Sequence, residues 1–215
     1  MIALNQISAY SILLPGGMVF FLWRALAPSY RALSTLVLFT LLMETIGKVT
    51  YELDINNMLL FRLYTYFEAV LLIFYYRRVF TTRELKLFCS IMLIAFLLFS
   101  VGNLFPWNWE RFARHNSIQR GVECIWAIIL CVVFYINLFN QSTVTNLTTY
   151  PHFWMTSGFL LYFAGTMFQS ILMDTYQTTE LIQFDISDIH ACLNIFLNII
   201  YTIVLWMASR ESISE

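Results

Sequence analysis

Charge is what this sequence has least of. Only 12% of its 215 residues are Asp, Glu, Lys or Arg, about half the share of an average soluble domain. Hydrophobic residues make up 60%, aromatics 18%, and the mean hydropathy is +0.70. Folded as a soluble globule, such a chain would expose contiguous apolar surface far beyond what a soluble monomer tolerates. That excludes a soluble enzyme and a disordered chain. The near balance of 12 basic and 13 acidic residues leaves no basic patch for nucleic acid.

Cysteine and histidine are scarce too. Cys89, Cys124, Cys131 and Cys192 lie in or beside apolar runs without the short paired spacing of a metal knuckle or redox motif. Cys124 and Cys131, one heptad apart, are too distant along a helix for a disulfide, so all four are expected as buried small hydrophobes. His115, His152 and His190 fall in separate parts of the chain and are not expected to converge on a metal. Ser157 and Ser170 have no His within their segment to activate them. The last apolar segment has no Lys for a retinal Schiff base. No enzyme activity, metal or cofactor is expected. There is no internal duplication, which weighs against an inverted-repeat transporter, and no low-complexity segment. Met1–Gln6 contains no Lys or Arg, so a cleavable signal peptide is not expected.

What is present is a series of long apolar runs. Seven can be marked: Ile7–Leu26, Ala32–Tyr51, Met58–Tyr76, Leu85–Phe105, Ile118–Phe139, Phe153–Met173 and Ile189–Ser209. Each is about the 20 residues a helix needs to cross a bilayer, and none alternates as a barrel strand would. The expected fold is therefore all-α, a single domain over residues 1–215 with seven transmembrane helices. Pro28, Asp54–Asn57 and Pro106–Trp109 separate runs, and Pro151 sits where the sixth helix begins. Pro15-Gly16-Gly17 should kink the first helix. Trp107, Trp109, Tyr150, Trp154, Tyr176 and Trp206 fall near helix ends, as interfacial anchors do.

Lys and Arg near the helix ends favour an N-out, C-in orientation, with Arg77, Arg78, Arg83 and Lys86 clustered in one inner loop. The stretch Asp174–Asp188, acidic and without a basic residue, reads as an outer loop. The membrane expected is the cytoplasmic one.

Ionisable side chains inside a membrane need a partner or water. Glu44 has Lys48 one turn away, Glu123 has Arg120 three residues before it, and Glu68 has no basic residue within a turn, only Tyr64. The last segment adds His190, Asn194, Asn198 and Tyr201 along one stripe. Under the expected orientation these groups gather in the outer half of the bundle, above an apolar plug of Leu, Ile, Val and Phe. Structural ion pairs and interhelical amide bonds are the competing explanation. Gly158 and Gly165, seven apart, read as close-packing positions.

The stretch Phe153-Trp154…Ser157-Gly158…Leu160…Tyr162…Gly165 resembles the FW-x-x-SG-x-L-x-Y-x-xG pattern of uncharacterised multi-pass membrane proteins of Bacteroidota. His190…Asn194…Asn198…Tyr201 is similar to their last helix, and Glu44…Asn57…Tyr64…Glu68 to their second and third. Related regions occur with sensor histidine kinases, so the resemblance implies a sensing role. This chain, ending at Glu215 without a kinase domain, would need a separate signalling partner. The expectation is a receptor or sensor subunit with a small or lipid-like ligand bound by Glu44, Tyr64, Glu68, Glu123, His190, Asn194 and Asn198. Its signalling protein would contact Arg77, Arg78, Arg83 and Lys86, and membrane lipids would surround it. The alternatives are a proton- or ion-coupled transporter using Glu68 and a structural subunit of a membrane complex.

Overall fold

A computed structural model describes residues 2–55, 57–104, 117–140, 146–175 and 180–214. The described residues are helical throughout, with no strand among them. The helices are α1 (Ile2–Ser11), α2 (Leu13–Leu22), α3 (Pro28–Glu52), α4 (Met58–Val79), α5 (Arg83–Leu104), α6 (Ser117–Asn140), α7 (Pro151–Thr175) and α8 (Glu180–Ser214). A 3₁₀ turn, Leu147–Thr149, leads into α7.

Prolines set the punctuation. Pro28 and Pro151 open α3 and α7, where a missing N–H leaves no helical acceptor unpaired. Pro15 lies within α2 and cannot donate to the carbonyl of Ser11, four residues back. The helical run accordingly breaks at Ile12, between α1 and α2, slightly ahead of the Pro15-Gly16-Gly17 kink expected. Beyond α3 the chain turns through Asp54, in the left-handed region at φ 53°.

Six stretches are long and apolar enough to cross a bilayer: Leu4–Leu22, Pro28–Glu52, Leu59–Val79, Arg83–Gly102, Ile118–Asn140 and Asp188–Arg210. Large apolar side chains face outward, among them Phe21 at 89% exposure, Phe20 at 73% and Leu98 at 70%. A soluble protein would not leave such a surface bare, whereas lipid covers it without penalty. The chain is a multi-pass membrane protein in these terms. The expected sixth span is the exception. α7 has 25 residues but is diluted by Thr156, Ser157, Gly158, Gly165, Thr166, Gln169 and Ser170. It packs between α6 and α8, so much of its surface meets protein.

α1–α2, α3, α4, α6, α7 and α8 pack side to side into a closed ring, with α8 returning to α1 and α2, and α5 lies against α4. Gly158 and Gly165 allow α7 to approach α8. A Cβ on Gly158 would stand 2.9 Å from Ile200 Cγ2, and one on Gly165 would stand 2.5 Å from Leu193 Cδ1. The expectation that both serve close packing holds.

Several expectations are corrected. The Asp174–Asp188 stretch is not all loop, because α8 already begins at Glu180. A helix needs an apolar surface only where it meets lipid, so α8 extends past its hydrophobic portion. Cys89, Cys124 and Cys131 are buried and unbridged, but Cys192 is exposed. His115, Trp107, Trp109 and Tyr176 lie outside the described residues.

Candidate functional site

The chain runs up and down through the ring, so one end of the bundle carries the N-terminus and the other carries the α4–α5 connection. Toward the N-terminal end, Arg120 of α6 is the centre of a buried ionic cluster. Its Nη1 donates to Glu68 Oε2 at 2.5 Å and to Glu123 Oε2 at 2.6 Å, while Nη2 donates to the Tyr162 hydroxyl at 3.0 Å. Tyr64, one turn before Glu68 on α4, donates to Glu68 Oε1 at 3.0 Å. The rings of Tyr64, Tyr162 and Phe163 each lie 5.9 Å from the guanidinium carbon, within range of a cation–π attraction. Glu68 is 3% exposed and Glu123 1%.

The helical register explains the assembly. Arg120 and Glu123 meet at i,i+3 on α6. The long Arg side chain reaches across to α4 for Glu68 and to α7 for Tyr162. Glu44 of α3 is half-buried and close enough to Glu68 to feel its charge. His190 of α8 lies against the Tyr162 ring, centroids 6.2 Å apart, and its Nδ1 is buried without a hydrogen bond. Residues of α4, α6 and α7 thus meet around one guanidinium, with His190 of α8 against the Tyr162 ring.

The structure brings Glu44, Tyr64, Glu68, Glu123 and His190 together, and separates Asn194 and Asn198 from them. Asn194 Nδ2 donates to Ser8 Oγ at 3.0 Å and Asn198 Nδ2 to Ser11 Oγ at 2.7 Å, both on α1. The stripe His190–Asn194–Asn198–Tyr201 is real but straddles two neighbours. Tyr201 turns to Phe159 on α7, centroids 6.0 Å apart, while the two amides clamp α1. The expected Glu44–Lys48 pair does not form. Lys48 Nζ donates to the Tyr10 hydroxyl instead, and it stays exposed there. Beside Tyr10 and Asn198 lies a cavity of about 370 Å³ on the α1–α8 groove, lined also by Ser11, Leu14, Ile199 and Thr202. It is not over the ionic cluster.

The half below the cluster is not the aliphatic plug expected. The Tyr75 hydroxyl lies 2.8 Å from His152 Nδ1, Ser29 Oγ lies 3.4 Å from its Nε2, and the Tyr30 ring stacks on the imidazole at 4.5 Å. Next to it, the Tyr76 hydroxyl meets Cys131 Sγ at 3.2 Å and Thr156 Oγ1 at 3.3 Å. His152 is 7% exposed and hydrogen-bonded on both ring nitrogens. At this end Arg77, Arg78, Arg83 and Lys86 are all exposed around the α4–α5 connection. Phe80, 1% exposed, pins the connection to the bundle.

Sequence reading missed Arg120 as the partner of Glu68, as well as Tyr162, Tyr75 and His152. The Arg120–Glu123 spacing was the only local signal pointing to any of them. Among the described residues no group of His, Cys, Asp and Glu is arranged to hold a metal ion. Compared with protein-family models, curated proteins and solved structures, the chain has no significant match.

Proposed function

We propose that this chain is the membrane-embedded subunit of a receptor or sensor. In this reading seven helices cross the cytoplasmic membrane with the N-terminus outside, α7 being the seventh, shielded from lipid by α6 and α8. A small ligand acts on the ionic cluster from the outer side. A separate cytoplasmic signalling protein reads the result at Arg77, Arg78, Arg83 and Lys86, four exposed cations beside a buried anchor, Phe80.

One observation carries the proposal. Arg120 binds α4 and α7 from α6, with His190 of α8 against Tyr162 and Glu44 of α3 within range of the charge on Glu68. Whatever alters that guanidinium's partners alters the packing of several helices together, and α4 leads directly from Glu68 to Arg77 and Arg78. A packed interior responds to such a change by switching arrangement rather than by bending smoothly. The resemblance to membrane regions found with sensor kinases points the same way.

The test is thermal unfolding of the protein in lipid nanodiscs against a library of metabolites and lipids. A ligand at about 100 times its Kd stabilises the folded state by about 2.7 kcal/mol. At least one compound is expected to raise the melting temperature, and Arg120→Lys, which keeps charge but loses the planar fork, is expected to abolish that response. No shift with any compound and none with pH would count against a receptor.

The polar side chains below the cluster favour a second reading, a proton-coupled carrier with a route from Glu68 past Tyr75 and Tyr76 to His152. Proteoliposome flux that disappears in Glu68→Gln would select it over the sensor.

A further inference from the structure

Taking the site of the sensor reading as given, we infer that the ligand of the ionic cluster is a proton, carried on Glu123 and shared toward Glu68. The first argument is charge. Glu68 and Glu123 share a single guanidinium, and Glu44 is a further carboxylate near enough for its charge to act on theirs. The groups facing the pair are Glu44 from α3, Tyr64 from α4, Arg120 and Cys124 from α6, Tyr162 from α7, and His190 and Tyr201 from α8. Arg120 is the only fixed cation among them. His190 does not supply a second positive charge, because its Nδ1 is buried without a partner and a protonated ring would leave that N–H⁺ unmet. An uncompensated charge in such a setting is neutralised by proton uptake.

The second argument is atomic. Both oxygens of Glu68 already accept bonds, from Tyr64 and from Arg120. Glu123 differs: Oε2 accepts from Arg120, whereas Oε1 is buried with no hydrogen-bond partner. The Oε2 atoms of Glu68 and Glu123 are both held by the same Nη1, at 2.5 and 2.6 Å, so the two carboxyl groups sit side by side. Like charges crowded onto one cation favour a proton on one of the two. Glu123, with its unpartnered Oε1, is therefore the member that carries the proton.

The third argument is space. With Glu68 and Glu123 almost fully enclosed and the cation position filled by Arg120 itself, a proton is the occupant that enters without rearrangement. Arg120, with 14% side-chain exposure and one turn into α6, is the cluster's opening toward the N-terminal end. Loss of the proton leaves two anions on one guanidinium and draws Arg120 more tightly between α4 and α6. The proton thereby becomes the signal for the helix shift of the sensor reading.

The experiment is infrared spectroscopy of the full chain in nanodiscs, with no added ligand, titrated from neutral to alkaline pH. The wild type is expected to show the carbonyl stretch of one protonated, buried carboxyl group at neutral pH, lost on titration with release of one proton per chain. Glu123→Gln removes the group itself. Glu68→Gln leaves Glu123 as the sole counter-charge of Arg120, and it ionises. Both variants should lose the band, and Glu52→Gln, at an exposed helix end, should keep it. A wild type with no protonated carboxyl at neutral pH, or a band indifferent to both cluster substitutions, overturns the inference. The wild-type titration decides even if a variant fails to fold. A band that titrates while a fluorophore beside Lys86 never responds to pH or to any compound supports the proton and rejects the sensor. Library compounds that shift melting in a protein without a protonated carboxyl reject the proton and keep the sensor.

Discussion

The bundle buries polar groups at two depths, and the two sites solve the same problem differently. Near the N-terminal end the groups are charged: Glu68 and Glu123 around Arg120, with Glu44 alongside. Near the other end they are neutral hydroxyls, a thiol and an imidazole, Ser29–His152–Tyr75 and Cys131–Tyr76–Thr156. Neutral groups need only donors matched to acceptors, and the aromatic rings of Tyr30 and Tyr150 complete the packing around His152. Charged groups need that and a balance of charge, which one guanidinium against two carboxylates does not provide. The lower site therefore reads as a fastener and the upper one as a device with more than one state.

The largest expected effect comes from removing the charge at the centre. Arg120→Gln leaves two buried carboxyl groups without their cation. Breaking a buried pair in this manner costs about 3–5 kcal/mol, enough to unfold many domains. Reversible unfolding in mixed micelles measures it. Adding Glu68→Gln and Glu123→Gln to Arg120→Gln should restore most of the loss, because neither partner of the guanidinium is then left as an uncompensated carboxylate. If Arg120→Gln alone is silent, the cluster is already open to water and the contrast between the two sites collapses.

How far the sequence anticipates these two sites depends on the range of the interaction. Apolar runs of membrane length and the helix-opening positions of Pro28 and Pro151 are local signals, and the helices fall close to where they were expected. Gly158 and Gly165 were legible for the same reason. The Arg120–Glu123 pair lies within one turn and was visible. The Arg120–Glu68 pair spans 52 residues, so Glu68 looked unaccompanied although its partner was already marked as belonging to Glu123. His152 meets Tyr75 over 77 residues and Ser29 over 123. Tyr is counted as apolar in composition, so a hydroxyl network built from Tyr75 and Tyr76 disappears into an apolar run. The stripe of His190, Asn194 and Asn198 was read correctly as a stripe, but periodicity does not say how many neighbours share it.

The intermediate effects concern packing and the neutral site. Gly165→Val forces a side chain into the space of Leu193 and should cost about 1–3 kcal/mol, read as a lowered melting temperature. His152→Phe should cost about 1–3 kcal/mol, because the buried Tyr75 hydroxyl loses its hydrogen-bond partner. Pairing it with Tyr75→Phe removes both polar groups and should return much of that stability. Rescue by a second apolar substitution at the lower site, where the upper site requires neutralising every member of the cluster, would establish that one cluster is held by hydrogen bonds and the other by charge balance. A lower site that also changes unfolding with pH between neutral and alkaline would erase the distinction.

The smallest effect separates both sites from the amides of α8. Asn194 and Asn198 were grouped with the carboxylates by their spacing, yet each donates to a serine of α1. Side-chain hydrogen bonds between membrane helices average about 0.6 kcal/mol, so Asn194→Ala should lower stability by about that amount. A double-mutant cycle with Ser8→Ala should recover most of the coupling, since distance and geometry confine the bond to that pair. A matching cycle between Asn194 and Glu68 should give no coupling. If Asn194 instead couples to Glu68 or Arg120 by more than about 0.5 kcal/mol, the amides belong to the ionic cluster after all, and the polar groups of this half of the bundle act as one network and not as a cluster beside a clamp.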